Sequence, residues 1–182
     1  YRVVNNKGEI MNIFYLDKDC VTSAQYHTDK HVVKMILEYA QLLCTAHHEL
    51  DDDVDSRLYR PTHKNHPSAK FTRANIGNYT YVYNLWTALC DEYTYRYGKV
   101  HLSDSKLRRL LINPPMNIHI GDFSRVPQAM PDKYKCYDSI IAYRNYYRAD
   151  KKHLHKWSVR WEVIRVSKNM VRKCDARKRC FW

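Results

Sequence analysis

Residues 27–44, HTDKHVVKMILEYAQLLC, carry the clearest helical pattern in this chain of 182 residues. Five polar side chains recur there at steps of four, three, four and three: His27, His31, Lys34, Glu38 and Gln41. At 3.6 residues per turn, these steps place all five on one face of a helix. The residues assigned to the opposite face are apolar: Val33, Ile36, Leu37, Ala40, Leu43 and Cys44. The pattern predicts one amphipathic helix from about Val21 to His48.

The polar face of this helix has two interpretations. A carboxylate at Glu38, held near two imidazoles and the ammonium of Lys34, is a setting for proton transfer, because each group moves the pKa of its neighbours toward neutrality. The alternative is a solvated surface on which Lys34 and Glu38 form an i,i+4 pair, worth only about 0.3–0.5 kcal/mol. The sequence leaves both interpretations open.

The remaining patterns predict a mainly α fold, a compact helical domain with three substantial helices and a basic C-terminal extension. Residues 11–16, MNIFYL, are a short apolar run that fits either a strand or a buried segment. A second helix is predicted from about Ser68 to Tyr97, with Gly98 as its stop, and a third from about Tyr137 to Arg148. Ser103 is predicted to cap a short helix that ends at Leu111.

Length and composition narrow the class of protein. We divide the chain into an N-terminal extension at 1–10, a helical domain at 11–150 and a basic, aromatic extension at 151–182. The four glycines argue against an all-β fold or a glycine-loop nucleotide site, and the six scattered cysteines are typical of reduced thiols. No apolar run has the length of a signal peptide or a membrane span, so we expect a soluble, cytoplasmic protein with no membrane partner.

The net charge of +12 is concentrated at the C-terminus. Residues 151–182 contain eleven lysines or arginines and two acidic residues, a net of +9, which leaves +3 for the first 150 residues. The same segment contains three tryptophans and Phe181, so it combines attraction for phosphates with surfaces for stacking. This distribution predicts nucleic acid as the partner, with an anionic protein scaffold as the alternative.

A second basic cluster lies in RPTHKNHP, residues 60–67. Two histidine pairs, one in this loop and one on the first helix, could each supply two metal ligands, but no third ligand follows at a diagnostic spacing. We therefore predict no metal site and no cofactor. The chain also lacks the glycine-rich, P-loop and nucleophile-elbow motifs, which disfavours the common forms of nucleotide hydrolysis.

Four features occur in a characteristic order: the apolar N-terminal segment, the helix KHVVKMILEYAQLL, a basic loop that ends in NHP, and a helix that closes in CDEYTYRYGK. Over residues 11–150 this order resembles the pyrimidine-dimer DNA glycosylase family, also called phage endonuclease V, and especially its uncharacterised bacterial and phage relatives. Their Lys-x-x-x-Lys-x-x-x-Glu-x-x-Gln helix is matched by Lys30, Lys34, Glu38 and Gln41. Their His-Pro step is matched by His66 and Pro67.

The resemblance implies a helical enzyme that flips a base out of damaged duplex DNA and attacks the sugar C1′ with an amine. An imine then forms, and a glutamate assists the proton transfers that break the strand by β-elimination. By this resemblance Glu38 is the general acid/base, and His31, seven residues earlier, contacts DNA or positions a proton.

The family's nucleophile has no clear counterpart in this chain. Family members use the N-terminal amine of a small residue, whereas ten residues precede Met11 here and Asn12 follows it. Three options remain open: the amine of Met11, a lysine such as Lys30 or Lys34, or no imine chemistry.

The expected function is that of a DNA-binding protein, DNA being favoured over RNA, either as a DNA glycosylase with abasic-site lyase activity or as a non-catalytic nucleic-acid-binding or virion-associated phage protein. It would act in the cytoplasm, that of the host if phage-encoded, or in the virion. The catalytic candidates are Glu38, His31, Lys34 and Met11. The candidate DNA contacts are His27, Lys30, Arg60, His63, Lys64, Asn65, His66, Arg73, Lys156, Arg160, Arg172 and Lys173.

Overall fold

The computed structural model of the protein describes residues 11–158 and confirms a mainly α fold. Residues 1–10 and 159–182 lie outside the described range. Two short 3-10 turns occur at 132–134 and 152–154, and the described residues contain no strand. The α-helices within 11–158 are α1 (Cys20–Tyr26), α2 (Asp29–Leu50), α3 (Pro67–Thr72), α4 (Ile76–Tyr97), α5 (Leu102–Leu107) and α6 (Ser139–Ala149).

Helices α2 and α4 form an antiparallel pair at the centre of the domain. The indole Nε1 of Trp86, near the middle of α4, donates to the carbonyl of Ile36 on α2 at 2.9 Å. Near the start of α4, Tyr79 Oη lies 2.9 Å from His47 Nε2 at the end of α2. Tyr79 and Trp86 are buried almost completely, so both rings belong to the core.

The apolar run at residues 11–16 is a buried segment without strand pairing. Ile13 and Leu16 have no solvent exposure, and the amide of Phe14 donates to Tyr39 Oη on α2 at 3.0 Å. The side chain of Asn12 donates to the carbonyl of Ala129 at 2.8 Å. Side-chain and loop acceptors therefore satisfy these buried polar groups where a sheet would otherwise do so.

The first predicted helix is wrong in its continuity, because the chain breaks between α1 and α2. His27 ends α1 with an extended ψ of 133°, and Thr28 precedes α2 in the same region of conformational space. The predicted apolar face is also wrong in part: Val33 and Leu37 are 42% and 43% exposed. The buried face of α2 instead includes Val32 and Tyr39, both of which have no solvent exposure.

The other predicted boundaries need smaller corrections. The helix expected from Ser68 to Tyr97 is divided into α3 and α4, because the side chain of Asn75 accepts from the amide of Asn78 and starts a new helix there. Gly98 stops α4 in the left-handed conformation, with a φ of 68°, as predicted. The cap of α5 is His101, not Ser103, and α5 ends at Leu107. Helix α6 begins at Ser139, two residues later than expected.

Arg96 joins α4 to the junction between α1 and α2. Its side chain is 1% exposed. The guanidinium donates to four oxygen atoms within 3.0 Å: Glu92 Oε1, Asp29 Oδ1, the His27 carbonyl and the Gln25 carbonyl. The two carbonyls lie at the end of α1, where no further helical amide is available to them. One cation therefore pairs with two buried carboxylates and ties α4 to the junction between α1 and α2.

We expect Arg96→Ala to lower the free energy of unfolding by about 3–5 kcal/mol, because Glu92 and Asp29 would be buried without their cation. Arg96→Lys keeps the charge but not the fork of donors, so its loss should be intermediate. Urea denaturation measures both. Lys99→Ala, an exposed lysine two residues beyond α4, is the control and should change stability by less than about 0.5 kcal/mol. Equal losses for Arg96→Ala and Lys99→Ala would contradict this role.

Candidate functional site

His31 lies where α2 meets the N-terminal segment and α6. Its ring stacks on Phe14 with centroids 4.6 Å apart, and its Nδ1 forms a short hydrogen bond with the hydroxyl of Tyr147. Burial, together with nearby groups that carry or can carry positive charge, lowers the pKa of His31 to about 2; these groups are His27, Lys151, Lys34 and His153. The imidazole is therefore neutral at physiological pH.

His27 has a structural role in this arrangement. Its Nδ1–H donates to the carbonyl of Ser23 at 2.7 Å, and its Nε2 accepts from Tyr39 Oη at 3.3 Å. Burial lowers its pKa to about 4. The ring has no exposed surface with which to contact DNA, so we exclude His27 from the candidate interface.

The carboxylate predicted as the acid/base lies at the edge of the exposed face of α2. Glu38 Oε1 is 3.3 Å from Lys34 Nζ, and the carboxylate side chain is 15% exposed whereas the lysine is 40% exposed. An amine and a partly shielded carboxylate in contact are the two groups that imine chemistry requires. His31 lies one turn before Lys34 and beneath the surface.

Residues 151–158 return to the start of α2 and add cations beside it. The amide of Asp29 donates to the carbonyl of Lys156 at 2.8 Å, and Ser158 Oγ donates to Asp29 Oδ2 at 2.7 Å. Trp157 Nε1 donates to the carbonyl of Tyr26 at 3.1 Å. We call the residues gathered here the α2 patch: Lys30, Lys34, Glu38, Lys151 and His153.

Sequence reasoning missed Lys151 and His153 as members of this site. Both act electrostatically on His31 although they are more than 100 residues away along the chain. The only local signal was the basic composition of the segment, which gives no position in space. Lys156 is exposed in the same segment, whereas Arg160, Arg172 and Lys173 lie outside the described residues.

The RPTHKNHP loop lies against the other end of α2. Lys64 Nζ is 3.7 Å from Glu49 Oε1, and Arg73 Nη1 donates to the carbonyl of Lys64 at 2.7 Å. His66 caps α3, since its Nδ1 accepts from the amide of Ser68 at 3.1 Å. We call the exposed or half-buried polar residues of this region the loop cluster: Arg60, His63, Lys64, Asn65 and Arg73.

The α2 patch and the loop cluster lie along one face of α2. Thr45 Oγ1 contacts the carbonyl of Thr62, and His48 Nε2 donates to the carbonyl of Tyr59 at 3.1 Å. Positions 34, 38, 41, 45 and 48 repeat at helical steps, so the loop continues the face that carries Lys34. At 1.5 Å per residue, positions 34 and 48 are about 20 Å apart. The loop does not close over Lys34; the arrangement is an extended face with the α2 patch toward its start and the loop cluster, with Glu49 paired to Lys64, toward its end.

The remaining candidates do not meet at this face. The side chain of Met11 is 6% exposed and belongs to the hydrophobic core.

Within residues 11–158, no three histidine, cysteine or acidic side chains come together as metal ligands. None of the helices in that range has both the length and the apolar composition needed to span a membrane.

Comparisons with known protein families, with curated proteins and with solved structures found no match to this chain. The geometry of its own residues is therefore the basis for a functional assignment.

The two buried imidazoles make stability depend on pH. An unfolded histidine has a pKa of about 6.5, whereas the pKa values of His27 and His31 are lower in the folded protein. Below about pH 6.5 the unfolded chain therefore binds more protons than the folded protein does. The contribution of the two neutral imidazoles to the free energy of unfolding is complete above about pH 6.5 and decreases as the pH falls. We expect each imidazole to lower the free energy of unfolding by about 2 kcal/mol between pH 7 and pH 5.

Urea denaturation at the two pH values tests this dependence. His31→Gln should reduce the loss of unfolding free energy between pH 7 and pH 5 by about 2 kcal/mol, the contribution of one imidazole. His63→Gln, at an exposed position, should leave this loss unchanged. Carboxylates contribute equally to all three proteins and cancel in the comparison. An identical pH dependence for His31→Gln and the unmodified protein would contradict burial of a neutral ring.

Proposed function

We propose that this protein binds duplex DNA along the exposed face of α2. The observation that carries the proposal is the presence of two groups of cations, in the α2 patch and in the loop cluster, separated by about 20 Å on one helix face. Phosphates follow each strand of DNA at about 3.4 Å intervals, so this distance corresponds to about six phosphates of one strand. Within residues 11–158, Lys30 and Arg60 are exposed and have no acidic partner, which leaves their charges available to phosphates.

We further propose that the protein acts as a DNA glycosylase with abasic-site lyase activity. Two observations support this step: the spacing of His31 and Glu38, which resembles that of the pyrimidine-dimer glycosylases, and the contact between Lys34 Nζ and Glu38 Oε1. Of the amines considered, Lys34 is the one in contact with this carboxylate. We therefore assign Lys34 as the nucleophile and Glu38 as the acid/base.

The proposed lyase reaction uses both groups in turn. Lys34 passes a proton to Glu38, and the neutral amine adds to the C1′ aldehyde of an abasic site. Glu38 returns the proton to the departing hydroxyl, so that water leaves and a protonated imine forms. The regenerated carboxylate then removes a proton from C2′, and the 3′ phosphate leaves with the electron pair of the C3′–O bond.

A non-catalytic DNA-binding protein is the second candidate. The contact that favours lyase chemistry is also an ordinary i,i+4 ion pair, which a solvated helix forms without any catalytic role. In that case the basic residues at 159–182, with eight cationic and two acidic side chains, would add most of the phosphate contacts. The two candidates differ in whether Glu38 matters for anything besides folding.

The catalytic proposal predicts that borohydride traps the protein on an oligonucleotide with an abasic site, and that mass spectrometry finds the adduct on Lys34. Glu38→Gln should lower the rate of strand cleavage by 100-fold or more, on the order of general acid–base contributions, while the affinity for the same DNA stays within about threefold. Reduced imine is stable, so the adduct survives digestion and the attached residue can be read directly.

Glu49→Gln is the matched control, because Glu49 lies on the same helix and pairs with Lys64 much as Glu38 pairs with Lys34. This variant should cleave at the unmodified rate. No adduct, together with tight and salt-sensitive binding to undamaged DNA, would reject the enzyme and favour the binding protein.

The binding proposal predicts the salt dependence of affinity. Replacing Lys34 and Lys151, or Arg60 and Lys64, by alanine should each lower the slope of log K against log salt by about 2, since each phosphate contact contributes about 0.9. Fluorescence anisotropy with a duplex of about 20 base pairs measures this slope. Lys18→Ala with Lys106→Ala removes the same charge from exposed positions outside α2 and should leave the slope within about 0.5 of the unmodified value.

The basic residues at 159–182 require a separate measurement. Truncation after Ser158 leaves the segment that joins Asp29, so the α2 patch is kept. A truncated protein that binds with a reduced but substantial slope supports binding along α2. Complete loss of binding would show that the C-terminal residues carry the interaction and would reject the α2 face.

A further inference from the structure

The segment between α5 and α6 exposes two large apolar side chains to an unusual degree. Met116 is 93% exposed and Ile120 is 86% exposed. Single exposed apolar residues are common on soluble proteins, but two that are almost fully exposed four residues apart form a concentrated feature. We call residues 112–123 the wedge loop.

The backbone of the wedge loop is fixed at three points. The amide of Met116 donates to Asp51 Oδ1 at 2.7 Å. The first two amides of α4, those of Ile76 and Gly77, donate to the carbonyls of His119 and Gly121 at 2.9 and 3.0 Å. Met116 and Ile120, the apolar tip of the loop, are therefore exposed while the backbone of the loop is held in place by hydrogen bonds.

Gly77 permits the close approach between this loop and α4. A Cβ atom at position 77 would lie 2.4 Å from the amide nitrogen of Phe123, a distance that real Cβ contacts do not reach. The rings of Phe123 and Tyr81 pack behind it with centroids 4.7 Å apart. The loop thus rests on α4 along its inner side, while Met116 and Ile120 are on its outer side.

The wedge loop is adjacent to the end of α2 at which the loop cluster lies. Asp51, which holds Met116, caps the C-terminus of α2, and Glu49, which pairs with Lys64, is two residues earlier. The apolar tip and the loop cluster therefore flank the same helix end. Stacked bases between phosphates present the complementary arrangement, an apolar interior bordered by negative charge.

We infer that Met116 and Ile120 insert between base pairs of duplex DNA held along α2. Apolar side chains that enter a base step unstack it and kink the duplex, which brings more of the backbone into contact with the protein. This inference rests on the proposed DNA binding and adds to it the element that distorts the duplex. It requires no chemistry at Glu38.

A duplex with 2-aminopurine at its centre tests the insertion, because the fluorescence of this base rises when it is unstacked. The full-length protein should raise the signal at saturation. Met116→Ser with Ile120→Ser should abolish the rise and weaken binding by about tenfold, as expected when two apolar side chains are removed from an interface. Met116→Leu with Ile120→Leu should retain both effects.

The matched control is Ile141→Ser, which removes an apolar side chain that is 53% exposed on α6. This variant should unstack the probe as the unmodified protein does. If the unmodified protein binds the duplex without any fluorescence change, and Met116→Ser with Ile120→Ser binds equally well, the wedge is rejected while DNA binding stands. If the unmodified protein does not bind the duplex at all, DNA binding itself is rejected.

Two other occupants of the apolar tip would overturn the inference. Sedimentation should show that Met116→Ser with Ile120→Ser does not change the oligomeric state; a dimer that dissociates on substitution would identify a second copy of this chain as the occupant. Co-sedimentation with vesicles of anionic phospholipid should be equal for both proteins. Vesicle binding that disappears on substitution would identify a lipid surface.

Discussion

The pairing of Arg96 with two buried carboxylates is the constraint on which the positions of α1, α2 and α4 depend. A buried cation with one partner would leave the other carboxylate uncompensated at a cost of several kcal/mol, so Glu92, Asp29 and Arg96 have to be placed together. Their placement ends α1, starts α2 and orients α4. Asp29 also accepts from Ser158, so the same group anchors the segment that supplies Lys151 to the α2 patch.

The chemistry at the start of α2 follows from the same packing. The turn between α1 and α2 removes His27 from the exposed helix face and buries it with Tyr39 as its partner. His31 is covered by Phe14 and Tyr147, and burial keeps it neutral although lysines surround it. The face that remains exposed therefore has cations near both ends and two carboxylates, Glu38 paired with Lys34 and Glu49 paired with Lys64.

An extended surface and an enclosed pocket place different demands on a ligand. The face of α2 offers cations over about 20 Å, an arrangement that the proposed function matches to regularly spaced phosphates. The wedge loop stands at one end of it, fastened through Asp51 to α2 and through Gly77 to α4. Under the proposed function, the cations along α2 would hold a duplex and the apolar tip of the wedge loop would bend it.

The sequence alone determined the helical class, the end of α4 at Gly98 and the i,i+4 contact of Lys34 with Glu38, because each depends on residues within one or two turns. The break at His27 was not predictable, since the pattern of polar residues continued through it and the reason for the break, Arg96, is 69 residues away. The tertiary structure likewise decided that Lys151 joins the α2 patch and that the RPTHKNHP loop lies at its far end. Long-range hydrogen bonds and shared burial leave no periodic signal in a sequence, so only the folded chain could bring these residues together.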